Sequence, residues 1–459
     1  MRILIVIVCL LLLIPTTIPK ASDHVSQYQE AVSRIVGAAL VDGKDYEKLA
    51  HLSDKIGARL SGSKQLEEAV NWTAEAMKAD GLENVHTEKV MVPHWVRGQE
   101  SGEIIAPVKK KLTMLGLGST VGTSSEGLTG EVIEAKSFQE LDKLSEKVKG
   151  KIVLYSFAMR SDVDPGQAYG EAVEFRTSGA SRAAKYGAIG VLVRSVTTRS
   201  LNSPHTGNMI YDEGLPKIPG VAITTEDSDL ISRLLAKGEK VSVKLTLGAK
   251  TLPDAESANV IGEIKGREKP DEIVLISGHL DSWDVGTGAS DDGAGCVVAM
   301  EAARILMKLN LRPRRTIRVV LFTNEENGLR GARAYAEAHQ ADKHAAAIES
   351  DSGGAKPVGF SFAGTDEAFQ IVEKIAPLLR GIETDKIVRR NGVGADISPL
   401  IRAGVPGFGL RQDVTHYFDI HHTDADTLDK IDRHHLALNT AAMTVMAYLL
   451  AEIPESLKK

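Results

Sequence analysis

Four short stretches of this 459-residue chain gather histidine and carboxylate side chains. They are "SGHLDSWDVGTGASDDGAG" (277–295) with His279, Asp281, Asp291 and Asp292; "NEEN" (324–327) with Glu325 and Glu326; "ESDSGG" (349–354) with Glu349 and Asp351; and "DIHHTDADT" (419–427) with His421 and His422. Imidazole nitrogens and carboxylate oxygens without thiolate are the donors of a zinc centre that keeps a position open for water. A carboxylate has two oxygens and can join two ions, and a neighbouring glutamate can take the proton of an attacking water. Each stretch alone has a plainer reading, "HLD" as a surface turn and "EE" as a solvated strand end. Together they would repel one another strongly unless cationic charge lay between them. A metal centre, with two ions, is the expectation.

The elements that must position these groups are legible as alternating patterns. Short apolar runs at 272–277, 316–323 and 345–350 read as strands, and amphipathic stretches at 293–309, 328–339 and 434–452 as helices. Such alternation implies a largely parallel sheet with helices on both faces, whose binding groups gather beyond the carboxyl ends of its strands. The first three stretches follow the three strands, and 419–427 precedes the last helix. Upstream, 28–80 reads as helical around the loop "IGARLSGS" (56–63), and "VHTEKVMVPHW" (85–95) as a strand closing at Pro93. Between about 110 and 250, short β-type runs such as "GKIVLYSF" and "VSVKLTLGAK" form a separate β-rich module. Pro107 and Pro253 with their polar neighbours read as linkers, so 103–110 and 250–258 are expected to meet at its junction.

Bulk properties exclude some classes of function. A hydrophobic content of 43%, a charged content of 25% and a net charge of −6 describe an ordinary globular chain without a sustained basic surplus, which argues against nucleic acid as a partner. Met1 and Arg2, the apolar run 3–14, Pro15, Pro19 and Ala21-Ser22 follow the order of a secretory signal, and the run is too short to span a bilayer comfortably. Removal of the signal would take Cys9 with it and leave Cys296 without an intrachain partner. Asn71-Trp72-Thr73 is a glycosylation sequon within a helical pattern.

The order "HLD", "DDGAG", "NEENGLRGA", Asp351 and "HTDADT" resembles the co-catalytic zinc exopeptidases related to aminopeptidase Y, and among them the plasma glutamate carboxypeptidase (carboxypeptidase Q) branch. "IGARLSGS" and "GVGADISPLIRAGVPGFGL" (392–410) match the same group. The resemblance implies an α/β fold, with a mixed, mostly parallel sheet sandwiched by helices and an inserted β-rich protease-associated domain. The implied division is a signal peptide at 1–22, a zinc peptidase domain at 23–110 and 251–459, and the insert at 111–250, roofing the crevice.

The resemblance also implies two Zn2+ per chain, one held by His279 and Asp351, the other by Glu326 and His422, with Asp291 bridging. Glu325 would be the general base, and Asp281 would orient the imidazole of His279. His421 competes with His422, and Glu349 with Asp351. A cis peptide bond is expected after Asp291. The implied activity is an exported exopeptidase cleaving dipeptides or short peptides, with homodimerisation a further expectation. The alternatives are an aminopeptidase of the same family, a receptor-like relative that has lost its metals and a single-zinc glutaminyl cyclase. The receptor reading needs missing ligands, and none is missing here. Which substrate end is read depends on an amine-seeking carboxylate or a carboxylate-seeking arginine, and spacing locates neither.

Overall fold

The computed structural model describes residues 27–458, so the secretory-signal reading of 1–22, with Cys9, lies outside the described residues. Helices Gln29–Asp42, Asp45–Ala50 and Lys64–Ala79 open the chain. The third starts where the Ser63 hydroxyl accepts the Leu66 amide, and buries Leu66, Ala69, Val70, Thr73 and Met77, the spacing of one helical face. Gly81 lies just beyond its end at φ +88°, in the left-handed region that glycine tolerates. Asn71 is exposed on this helix, its amide donating to the Glu67 carbonyl.

Strand β1 (Glu83–Val96) does not stop at Pro93 but runs through it. It is the outermost strand of its sheet, and its register with the next strand slips between Val92 and His94. An edge strand with a bulge can accommodate a residue that has no amide hydrogen.

The chain then leaves for a second sheet built from β2 (Glu100–Ala106), β3 (Lys110–Lys111), β4 (Met114–Gly116), β5 (Leu128–Ala135), β6 (Ile152–Tyr155), β7 (Gly190–Arg194), β8 (Gly220–Ile223) and β9 (Ser242–Leu247). Its order is β3-β2-β9-β5-β6-β7-β8-β4, with separate apolar clusters on its two sides. The sheet thus begins at Glu100, some ten residues earlier than the sequence pattern suggests. The two crossings between sheets are paired with each other: Val96 faces Lys250 in the first sheet, Glu100 faces Leu247 in the second, and Gly248 N donates to Gln99 O at 2.8 Å. Gly98, at φ +69°, has no room for a side chain, since a Cβ there would stand 2.5 Å from the Gly248 carbonyl oxygen. The residues paired across the crossing are thus 96–100 and 247–250, while 103–106 pairs within the second sheet and 250–258 within the first.

The first sheet continues with β10 (Lys250–Ile264), β11 (Lys269–His279), β12 (Arg315–Phe322), β13 (Lys343–Glu349), β14 (Pro357–Ala363), β15 (Ile387–Arg389) and β16 (Gly407–Gln412). Its order is β1-β10-β12-β11-β13-β16-β14-β15. The central strands β12, β11, β13 and β16 are mutually parallel, while the β1/β10, β10/β12 and β16/β14 pairs are antiparallel. Alternation assigns the two faces of β11. Val274 and Ile276 join the core that contains helices Ala294–Lys308 and Arg433–Glu452, and Leu275 joins the opposite core beside helix Arg330–Ala338. Full burial of such side chains contributes about 1.5–3 kcal/mol each, which holds the strand ends, and the site on them, in register.

Candidate metal centre

Strand ends deliver the site. β11 terminates on His279, Glu325 and Glu326 follow β12, Asp351 follows β13, and His421-His422 come after β16 and the short helix Tyr417–Ile420. Asp291 lies in the turn Ala289–Gly293 before helix Ala294–Lys308, and the Asp291–Asp292 peptide is cis. Three groups fix this turn. The Asp292 carboxylate accepts the amides of His279 and Gly295, each at 3.0 Å, joining the strand end to the helix start. The Asp426 carboxylate accepts Ser290 N at 2.7 Å and Asp291 N at 3.0 Å. Arg59, fully buried in "IGARLSGS", donates to the carbonyls of Gly57, Leu280, Thr287 and Gly288.

The donor atoms then converge in pairs. His279 Nε2 lies 3.3 Å from Asp291 Oδ1 and 3.5 Å from Asp351 Oδ1. His422 Nε2 lies 3.2 Å from Asp291 Oδ2 and 3.0 Å from Glu326 Oε2. The two oxygens of Asp291 therefore face two different imidazoles, each accompanied by a second carboxylate. Asp291 Oδ2 and Glu326 Oε1 are buried without a hydrogen-bond partner. Nitrogen and oxygen donors in this number, with unsatisfied carboxylate oxygens among them, fit divalent zinc.

The electrostatics agree. Burial pushes Glu325 well up and also raises Glu326 and Asp351; mutual repulsion among the clustered carboxylates adds to it. At His422 burial works against the charge, yet Glu326 and Asp291 outweigh it and lift the imidazole to about 10. Clustered buried carboxylates of this kind favour a cation between them, and a bound divalent ion would supply it.

The competing side chains make different contacts, and His421 lies in one potential donor group with Asp291 and His422. His421 stacks on His422 with ring centroids 3.6 Å apart, and its Nε2 stands 3.5 Å from Asp291 Oδ2, but its Nδ1 is buried without a partner. His422 Nδ1 lies 3.2 Å from Thr206 O and 3.4 Å from Arg176 Nη1; with the proton on Nδ1 directed at Thr206, Nε2 would be the nitrogen available to a metal. Glu349 turns away, accepting the amides of Ala395 and Ile397, each at 2.8 Å. The expected role of the Asp281 carboxylate is not what the geometry displays. His279 Nδ1 lies 3.0 Å from the Asp281 carbonyl oxygen and 3.9 Å from Oδ1. The carboxylate instead accepts the amides of Glu325 (3.0 Å) and Glu326 (3.3 Å), so it sets the backbone of the next loop. Cys296 is buried, its thiol donating to the His279 carbonyl.

The insert reaches this centre. Besides Thr206, Arg176 donates to the Thr206 carbonyl and the Tyr169 hydroxyl, Arg199 pairs bidentately with Asp419 at 3.0 and 2.6 Å, and Asp164 pairs with Arg390 at 3.1 Å. A cavity of about 790 Å³ opens over the cluster, lined on the insert side by Tyr169, Arg176 and Ile210 and on the other by Glu325, Asp351 and Leu410. That volume is in the range of small-molecule sites.

Residues 259–447 match the model of peptidase family M28 and residues 119–231 that of the PA domain. Carboxypeptidase Q of Mus musculus is 42% identical over 96% of this chain and 94% of its own length, and that of Homo sapiens is 40% identical over 96% and 93%. The chain belongs to peptidase family M28. A solved M28 peptidase precursor from Shewanella amazonensis is 36% identical, covering 95% of this chain and 99% of its own, with a TM-score of 0.90. A zinc aminopeptidase from Bacillus subtilis shares the fold at 22% identity and a TM-score of 0.65, over 90% of this chain and 98% of its own. The protein is thus a zinc metallopeptidase of the M28 fold carrying a PA domain. Among the described residues, no helix is long and apolar enough to cross a membrane.

The supports that pattern reading missed in this M28 chain are Arg59, Asp426 and Thr206. The first two sat inside motifs whose residues matched without an evident task; the third acts through its backbone. Asp426 offers a direct test. Burial pushes its carboxyl up to about 7, against the two amide bonds it accepts. Asp426→Ala leaves both amides unpaired, so urea unfolding should register a loss of about 2–4 kcal/mol. Zinc titration should register 10- to 100-fold weaker affinity, roughly the range for outer-sphere supports. Unchanged unfolding and zinc affinity would remove Asp426 from the account.

Proposed function

We propose that this chain is an exported di-zinc carboxypeptidase or dipeptidase acting on dipeptides and short peptides. One zinc would be held by His279 and Asp351 and the other by Glu326 and His422, with Asp291 between them. The observation that carries the reading is the division of the Asp291 oxygens between His279 and His422. When bound, zinc would polarise the scissile carbonyl and acidify water. Glu325 lines the cavity one residue before Glu326, with its amide held by Asp281. Its carboxylate would accept the proton of the attacking water and return it to the leaving amine.

We further assign the peptidase unit to 27–97 and 249–458 and the insert to 98–248, a division that the paired crossings at Gly98 and Gly248 support. The insert's residues in the cavity wall favour short substrates over folded proteins. Export through residues 1–22 and homodimerisation belong to the same reading, supported by the apolar N-terminal run and the likeness to carboxypeptidase Q.

The test is elemental analysis together with hydrolysis of a dipeptide panel. The expected result is two zinc ions per chain and turnover that chelation abolishes and zinc restores. One ion per chain in the active protein, or turnover indifferent to chelation, would reject the two-metal assignment.

A further inference from the structure

Recognition of a free peptide end needs a charged group in the cavity that the fold itself leaves unpaired. The lining carboxylates outside the proposed zinc cluster are both committed. Asp164 accepts from Arg390 and caps its helix through Gly166 N and Gln167 N, and Glu349 accepts two backbone amides. No carboxylate on the cavity lining is left to seek an amine; Asp396, next to the lining Ala395, has both oxygens buried without a partner but does not itself line the cavity. The arginines divide differently. Arg176 is engaged through both Nη atoms by Thr206 O, the Tyr169 hydroxyl and His422 Nδ1, although its Nε is unpartnered; Arg390 is engaged by Asp164, and Arg333 is exposed.

Arg411 remains. It lines the cavity, forms no ion pair or side-chain hydrogen bond with the described residues, and its Nη1 is buried without a partner. Register fixes its height. β16 runs parallel to β13 with Gly409 beside Glu349, the last paired position, so Arg411, two residues on, lies beyond it at the sheet end that carries the metal centre. Along β16, Phe408 and Leu410 enter the core beneath, and Arg411 takes the opposite face with the side-chain-free Gly409 and Gly407. Burial and the neighbouring Arg390 both disfavour its charge, and Asp164 offsets this in part. Arg411 is partly buried, with Nη1 unpartnered, and a carboxylate arriving there would meet a guanidinium able to donate from two nitrogens.

We propose that Arg411 receives the free α-carboxylate of the substrate, so that the enzyme reads the carboxyl end of a short peptide. This rests on the peptidase reading above, but its test does not depend on turnover. Zinc-loaded Glu325→Gln protein, with and without Arg411→Ala, is titrated by calorimetry with one dipeptide and with the same dipeptide as its C-terminal amide. The acid is expected to bind about 10- to 100-fold more tightly than the amide, the range for a hydrogen bond between charged groups. Arg411→Ala should erase that preference while leaving amide binding and zinc content in place, and Arg411→Lys should restore part of it. Retained amide binding also reports a folded site. Equal binding of acid and amide, a preference that survives Arg411→Ala, or a parallel loss for both ligands would overturn the assignment. Absence of turnover in the zinc-loaded parent, with the acid preference intact, would strike the peptidase reading and leave the carboxylate site standing.

Discussion

Glu325→Gln is expected to lose about 10²- to 10⁴-fold in kcat while keeping its zinc and its fold. Glutamine has the same shape, and the Glu325 backbone is set by Asp281 rather than by its own side chain. The change removes the ability to accept a proton and little else. Since Glu325 and Glu326 are adjacent but Glu326 alone stands within 3.0 Å of His422 Nε2, the metal donors of the proposed centre are untouched. The informative measurement is kcat on a dipeptide, taken with zinc content and melting temperature on the same preparation. Near-parental turnover in metal-loaded protein would end Glu325's role as base; loss of zinc would show it to be a ligand instead.

Asp291→Ala should remove both ions and all measurable turnover. Its two oxygens serve His279 and His422 separately, and the neighbouring Asp292 is already held by the amides of His279 and Gly295. Asp351→Asn is the contrast, because Asp351 faces only His279 and should weaken one ion selectively. Stability follows occupancy, since a ligand at a thousand times its Kd stabilises the folded state by about 4 kcal/mol. Asp291→Ala should therefore melt with, or below, chelated parent protein and fail to respond to added zinc. A variant that still holds two zinc ions per chain would exclude the bridging role.

Much of the centre was readable before any fold. Zinc chemistry restricts donors to a few side-chain types, and sheet geometry restricts their location to strand ends. The four clusters therefore stood out; the choice of His279, Asp291, Glu326, Asp351 and His422 within them came from the family resemblance, and the structure brings these five side chains together. The strands read at 272–277, 316–323 and 345–350 correspond to Lys269–His279, Arg315–Phe322 and Lys343–Glu349, each shifted or lengthened by a few residues. Buried parallel strands advertise themselves as unbroken apolar runs. β14, interrupted by Gly359 and Ser361, and β16, with glycines at 407 and 409, carry no such run and were not recognised.

What the sequence determined by itself was therefore the inventory: which donors, on which kind of sheet, with a β-rich insert between 83–96 and the rest. Only tertiary structure decided which oxygen of Asp291 faces which ring, and that Asp281 steadies His279 through its carbonyl and the Glu325-Glu326 loop through its carboxylate. Only it decided that the support of His422 comes from Thr206, 216 positions away. The reason is physical. Backbone amides and carbonyls are common to every residue, so their contacts leave no mark on residue type. An unpaired guanidinium such as that of Arg411 is defined by what fails to reach it, which no spacing along the chain records.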